Sequence, residues 1–311
     1  MSNAIELENV QYQAGRQFEI KNLSLRVPEG SIYGFLGPNG AGKTTTIRLF
    51  MGLLRARSGR ITVLGQHVPN HMPEILARTG YVPERPHVYH ALTVAEALRY
   101  HSAFFPTWDN EWSYELVESL RLDPRQKIAH MSKGEKGKLT ILLAIAQRPE
   151  LLVLDEPTDG LDPVVRRDVL TAMLDYVSHT NATVFISSHL VHELERFCDW
   201  VGVVDEGGLV AELPMEEFKN GIKKLRISNP PLEPDDAPFV VLSRNFVGHR
   251  TPNPTETWVV RGWSERMQEY FAAVGADLQD VVDLDLEEGF VELLRSGRPH
   301  GNGNGNGLGG F

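Results

Sequence analysis

One cysteine, Cys198, occurs in 311 residues, and a lone thiol excludes any disulfide within the chain. Long apolar runs are missing too. The best of them, "LTILLAIA" and "LLVLDE", fall far short of the roughly 20 residues that a bilayer-crossing helix needs. The opening "MSNAIELENV" has neither the basic nor the apolar region of a secretory signal, so the chain reads as cytoplasmic. Basic residues are in deficit: 31 Lys and Arg against 41 Asp and Glu leave a net charge of −10. That balance argues against a protein built around nucleic acid, although it leaves room for a local basic patch. No repeat architecture is visible. If a membrane matters to this protein, another polypeptide spans it.

What is present is an alternation. The apolar "SIYGFLG" reads as a strand, and "TTTIRLFMGLL" after it has the apolar spacing of a helix. "GRITVLG" and "TGYVPE" follow as strand-like segments, and "LLVLDEP", "ATVFISS" and "VGVVDEGGLVAEL" recur further on. Helices are expected near 163–178 and 190–198. Apolar strands alternating with helices imply a largely parallel sheet covered on both faces. Residues 93–147 read mostly as helix, within a subdomain of about 85–150 inserted between strands. Near residue 220 the character changes. "KKLRIS", "FVVLS" and "ETWVVRG" suggest short strands between proline-rich stretches, with helices around 264–274 and 286–295. The expected division is therefore 1–220, a small α+β domain at 221–297, and a tail at 298–311, "GNGNGNGLGGF" at its end, with nothing to pack.

"GPNGAGKTT", from Gly37 to Thr45, matches the G-x-x-x-x-G-K-[ST] phosphate loop, with a strand before it and a helix after it. Its Gly37, Pro38, Asn39, Gly40, Ala41, Gly42, Lys43, Thr44 and Thr45 form a loop whose backbone N–H groups, absent at Pro38, turn toward phosphates. Lys43 supplies charge to the β- and γ-phosphates and Thr44 a hydroxyl to Mg²⁺. "LLVLDEPTDGLD" delivers Asp155 and Glu156 at a strand end, where open α/β sheets gather ligands. Asp155 would hold Mg²⁺, through water, since that ion dehydrates reluctantly. Glu156 would polarise the attacking water. His189 ends "TVFISSHL", either as a capping residue or as a hydrogen-bonding partner of the γ-phosphate. "HLVHELE" lacks the H-E-x-x-H pattern of a zinc pair made by His189 and His192.

"MSKGEKGKL", residues 131–139, is a second turn able to bind an anion at a helix start. It also reads as an ordinary capping box, with Ser132 as the cap and Glu135 reaching back. Both readings can hold at once.

The ordered set "GPNGAGKTT", "GYVPE", "MSKGEKGKL", "LLVLDEPTDGLD" and "SSHL" resembles the nucleotide-binding domain of the ATP-binding cassette (ABC) family over about residues 4–215. The details are similar to the branch whose ATPase chain serves a separate permease, often for export. That resemblance implies an α/β P-loop NTPase fold with an inserted helical subdomain. It also implies ATP and Mg²⁺ as ligands and a head-to-tail dimer, with a second copy or a related ATPase subunit. An integral membrane permease would hold the chain at the inner face of the cell membrane. "MSKGE" stands where the family has its signature, so Ser132 and Gly134 would face the γ-phosphate bound to the partner's Lys43 loop. Tyr12 matches the aromatic that stacks on adenine; its competing reading is a half-buried strand tyrosine. Leu161 and Asp162 match a dimer-contact loop, and Glu84 falls where the family has a metal-touching glutamine. Lys133 and Glu135 depart from the signature.

A non-transport ABC ATPase acting on ribosomes or DNA is the alternative. One cassette, one cysteine and the absence of sustained heptads count against it.

Overall fold

The structure is a computed structural model that describes residues 2–15, 18–232, 234, 236–247 and 255–297. The chain divides into two compact units, Met1–Met215 and Glu216–Phe311. The division falls just after the first residue of the helix Met215–Asn220, so this helix goes largely with the second unit.

Two sheets build the first unit. One is antiparallel, formed by β1 (Asn3–Ala14), β2 (Phe18–Pro28), β4 (Ser58–Val63) and β5 (Gln66–His67) in the order β2-β1-β4-β5. The other contains β3 (Ile32–Leu36), β6 (Thr79–Val82), β7 (Leu151–Asp155), β8 (Thr183–Ser188), β9 (Trp200–Asp205) and β10 (Gly208–Pro214). Its order is β10-β9-β3-β8-β7-β6, parallel except for the β9–β10 hairpin. Every residue of β3, β7 and β8 is buried, the expected state for strands of a parallel sheet covered on both faces. Phe185 anchors this core: it stacks on Tyr33 at 5.5 Å and meets Phe50 edge-on at 5.1 Å.

Strand order, not chain order, assembles the site. β8 lies between β3 and β7, with Leu36 opposite Ser188 and Asp155 opposite Ser187. Three strand ends 33 to 152 residues apart in sequence thus open side by side. The hairpin turn adds a bolt behind them. Gly207 donates its N–H to Ala41 O at 3.0 Å and accepts from Lys21 N at 3.2 Å. With φ +78° and Glu19 O crowding the place a Cβ would take, only glycine fits there.

Between β6 and β7 lie the helices Val94–Ser102, Asn110–Ser119 and Lys133–Ile145. Each is capped by a side chain: Thr93 with Glu96, Asp109, and Ser132 with Glu135. Leu139–Ile145 is buried at every position, which anchors the third helix. The expected helix near 190–198 is only four residues, Val191–Leu194, because the chain turns as Phe197 N and Cys198 N both bond Leu194 O.

The second unit is an antiparallel sheet of β11 (Ile222–Ser228), β12 (Val240–Val247), β13 (Thr255–Arg261) and β14 (Asp277–Asp283), ordered β12-β13-β11-β14. Trp258, Trp263, Phe239 and Phe271 form its core with the helix Gln268–Ala273. The buried Glu256 accepts from Trp258 Nε1 at 2.6 Å and from Arg244 Nε at 2.8 Å. A last helix spans Leu286–Gly297. β14 escapes the sequence reading because only Leu278 and Val281 are even half-buried on this acidic edge strand. The tail at 298–311 lies outside the described residues.

Candidate functional site

β3 ends at Leu36, and the loop that follows delivers the helix Lys43–Phe50. Gly42 turns into that helix at φ +110°, with Phe18 Cζ 2.8 Å from the position of an added Cβ. A side chain there would be strained and would strike the ring. Lys43 does not extend into solvent. Its Nζ donates to Gly37 O at 2.7 Å and Pro38 O at 3.2 Å and lies 3.0 Å from Glu156 Oε1. The other oxygen of the same carboxylate, Oε2, is 3.0 Å from His189 Nδ1. Glu156 is therefore held between a cation and an imidazole, its side chain 11% exposed.

The backbone of Glu156 is as constrained as its carboxylate. Its φ of +49° is uncommon for a residue with a Cβ. The N–H of Glu156 donates to Ser187 Oγ at 3.0 Å, and Ser187 Oγ donates to Asp155 Oδ1 at 2.8 Å. One serine at the end of β8 thereby sets both acids at the end of β7. Asp155 is fully buried, and its Oδ2 has no hydrogen-bond partner. Burial raises its pKa above the ordinary aspartate value, Ser187 and Thr44 oppose the rise, and the charges of Glu84 and Glu156 add to it. An unpaired buried carboxylate oxygen beside a threonine hydroxyl fits the donor set of a hydrated Mg²⁺. Among the described residues no group of three or more His, Cys, Asp or Glu side chains forms a separate metal cluster.

Lys43, Thr44, Glu156 and His189 line a pocket of about 520 Å³. Of the residues singled out in the sequence, Asn39, Gly40, Gly42, Lys43, Thr44, Thr45, Glu84, Glu156 and His189 reach it. Gly37, Pro38, Ala41 and Asp155 stand behind, in the loop or at the strand end. Tyr12 is not among the lining residues; it is half-buried on β1, where it pairs with Ile20 and packs against the core of the first unit. The aromatic at this pocket is Phe18, which nothing in its sequence spacing marks. Asp159 and Ser187 also escaped the sequence reading, the first although it stands inside "DEPTDGLD".

The second turn sits elsewhere. Ser132 and Gly134 are not among the pocket-lining residues. Ser132 caps its helix reciprocally: its Oγ accepts from Glu135 N at 3.2 Å, and Glu135 Oε2 accepts from Ser132 N at 2.7 Å. The Ser132 N–H and hydroxyl hold the Glu135 carboxyl below its ordinary pKa. Gly134 abuts Val165 on the helix Pro163–Thr180, and Lys138 pairs with Asp168 at 2.6 Å across the same two helices. Asp162 caps the second of them, accepting from Val164 N and Val165 N. Ser132 itself is exposed.

A phosphate loop on a mostly parallel sheet, with an acid pair and a histidine at adjacent strand ends, defines the class of P-loop ATPases. The ABC transporter family profile matches residues 20–159. The bacitracin transport ATP-binding protein BcrA of Bacillus licheniformis is 32% identical over 306 residues, covering 96% of this chain and 99% of that protein. The Nod factor export ATP-binding protein I of Cupriavidus metallidurans is 33% identical, over 68% of this chain and 71% of its own. A solved structure of the ATP-binding subunit of an ABC transporter superposes with a TM-score of 0.64 at 28% identity, covering 70% of this chain and 92% of that one. The chain belongs to the ABC transporter family, as an ATP-binding subunit that hydrolyses ATP. Among the described residues no helix is long and apolar enough to cross a membrane.

Proposed function

We propose that two copies of this chain, or one copy and a related ATPase subunit, close head to tail around two ATP molecules and drive a separate membrane permease outward from the cytoplasmic face. The arrangement of Lys43, Glu156 and His189 around one pocket is the observation that supports this most directly. In this reading the triphosphate takes Lys43 from Glu156 and His189 turns to the γ-phosphate. Glu156 is thereby left to orient and polarise the attacking water. Thr44 and Asp155, with Glu84 at the rim, would hold Mg²⁺, which would neutralise phosphate charge there.

Ser132 and Gly134 of one copy complete the pocket of the other. Their absence from the lining of their own pocket supports that division of labour. Asp162 caps the helix beside that contact, and the adenine stacks on an aromatic of the β1–β2 pair, Tyr12 or the pocket-lining Phe18. The helices between β6 and β7 pass closure on to the permease, a coupling free energy reciprocal between nucleotide and permease. Residues 216–297 form a small domain supporting the dimer. Outward transport is supported by the relatives named for bacitracin transport and Nod factor export.

Affinity purification of the full chain from solubilised membranes tests the reading. A polytopic membrane protein should co-purify and should stimulate ATP turnover. Recovery with ribosomes or DNA and with no membrane protein would overturn it.

A further inference from the structure

Behind the pocket lies a charge that the reaction does not call on. Glu193 sits on the short helix Val191–Leu194, four residues past His189, and is only 7% exposed. Its Oε2 accepts from Thr158 Oγ1 at 2.7 Å, and its Oε1 faces Arg166 Nη1 at 2.5 Å. Thr158, also buried, is two residues past Glu156. Arg166 is in the first turn of Pro163–Thr180, where its N–H donates to Asp162 O at 2.9 Å. Burying a carboxylate is costly, and an apolar residue in such a place is often as stable or more so. Stability alone therefore gives no reason for a carboxylate here.

Geometry does. The segment that carries His189 and the segment that carries Glu156 are tied twice, by His189 to Glu156 at 3.0 Å in front and by Glu193 to Thr158 at 2.7 Å behind. Under the function proposed above, on which this inference rests, both front partners of Glu156 leave it when ATP enters: Lys43 for phosphate and His189 for the γ-phosphate. What then fixes the glutamate is its N–H bond to Ser187 and the rear tie. We infer that Glu193 is a positioning residue for hydrolysis, holding the Glu156 loop through Thr158 and joining it through Arg166 to the helix capped by Asp162. The rear tie keeps the glutamate aimed after its front contacts have gone.

Thr158→Val removes the donor while keeping the shape, and Thr158→Ser keeps the donor. Both are measured on the full chain with MgATP, beside Glu156→Gln. Thr158→Val should lower kcat about tenfold with KM for ATP within about twofold, because misaimed groups cost rate rather than binding. Its melting temperature should match that of Thr158→Ser, which should restore most of kcat. A wild-type kcat in Thr158→Val, or equal loss in Val and Ser, overturns the inference. Should Thr158→Val not fold, Glu193→Leu carries the test: it removes the acceptor that holds Thr158 and should show the same split, and a wild-type kcat again overturns the idea. Loss of turnover in Glu156→Gln together with normal Thr158→Val defeats only the positioning role. Normal turnover in Glu156→Gln defeats the role of Glu156 and this inference with it.

Discussion

Lys43 and Glu156 face each other at 3.0 Å inside the phosphate pocket, with side chains only 6% and 11% exposed. A buried pair of this kind is a competitor for the ligand: phosphate must replace the carboxylate at the ammonium.

Glu156→Gln removes the competing charge and the polarising group together. ATP binding should be equal or tighter, measured with a fluorescent analogue, while phosphate release falls about 100-fold or more. The variant should also elute as an ATP-dependent dimer. Turnover close to wild type would remove Glu156 from its role.

Ser132 has two jobs in the proposed scheme, and they separate. Aspartate caps a helix as well as serine does, but it sets an anion against the partner's γ-phosphate. Ser132→Asp should therefore melt within about 1 °C of wild type, since cap strength is unchanged. It should bind ATP as a monomer and hydrolyse almost none. Undiminished hydrolysis would confine Ser132 to capping.

Asp155 is held at a cost. Its folded pKa is raised, so its contribution to stability is complete below the unfolded pKa and is lost as pH rises through the folded one. Asp155→Asn should thus raise the nucleotide-free melting temperature at neutral pH. The advantage should fade in acid below the aspartate range. Mg²⁺-dependent turnover should disappear in the same variant. A lower melting point at pH 7 would contradict the sign of the shift.

Phe18 and Tyr12 give a paired test. Phe18→Ala should raise KM for ATP several-fold, since the ring lines the pocket, at a folding cost like that of Tyr12→Ala because both rings pack against the same core. Tyr12→Ala should cost about 1–3 kcal/mol in denaturant unfolding, as partial truncation of a packed residue does, with KM unchanged in the folded fraction. The reverse pattern would restore Tyr12 to the nucleotide.

Much of the candidate site was legible because its chemistry is local. The phosphate loop, the acid pair after an apolar strand and the capping box at Ser132 are each short runs whose meaning depends on neighbours in sequence. What stayed hidden depends on neighbours in space. Ser187 sits opposite Asp155 only because β8 lies between β3 and β7, and Glu193 meets Thr158 across 35 positions. Phe18 and Tyr12 lie on paired antiparallel strands, and their spacing does not tell which ring turns inward. The acidic β14 carries too few buried positions to announce itself, although hydrogen bonding along β11 holds it.

The glycine at 207 gives the phosphate cradle its character. Because Ala41 is fastened from behind to the hairpin, and the hairpin in turn to β2, the loop is preorganised before any ligand arrives. Little conformational entropy then remains to be lost on capture. The free energy of nucleotide binding is left available for motion elsewhere in the assembly.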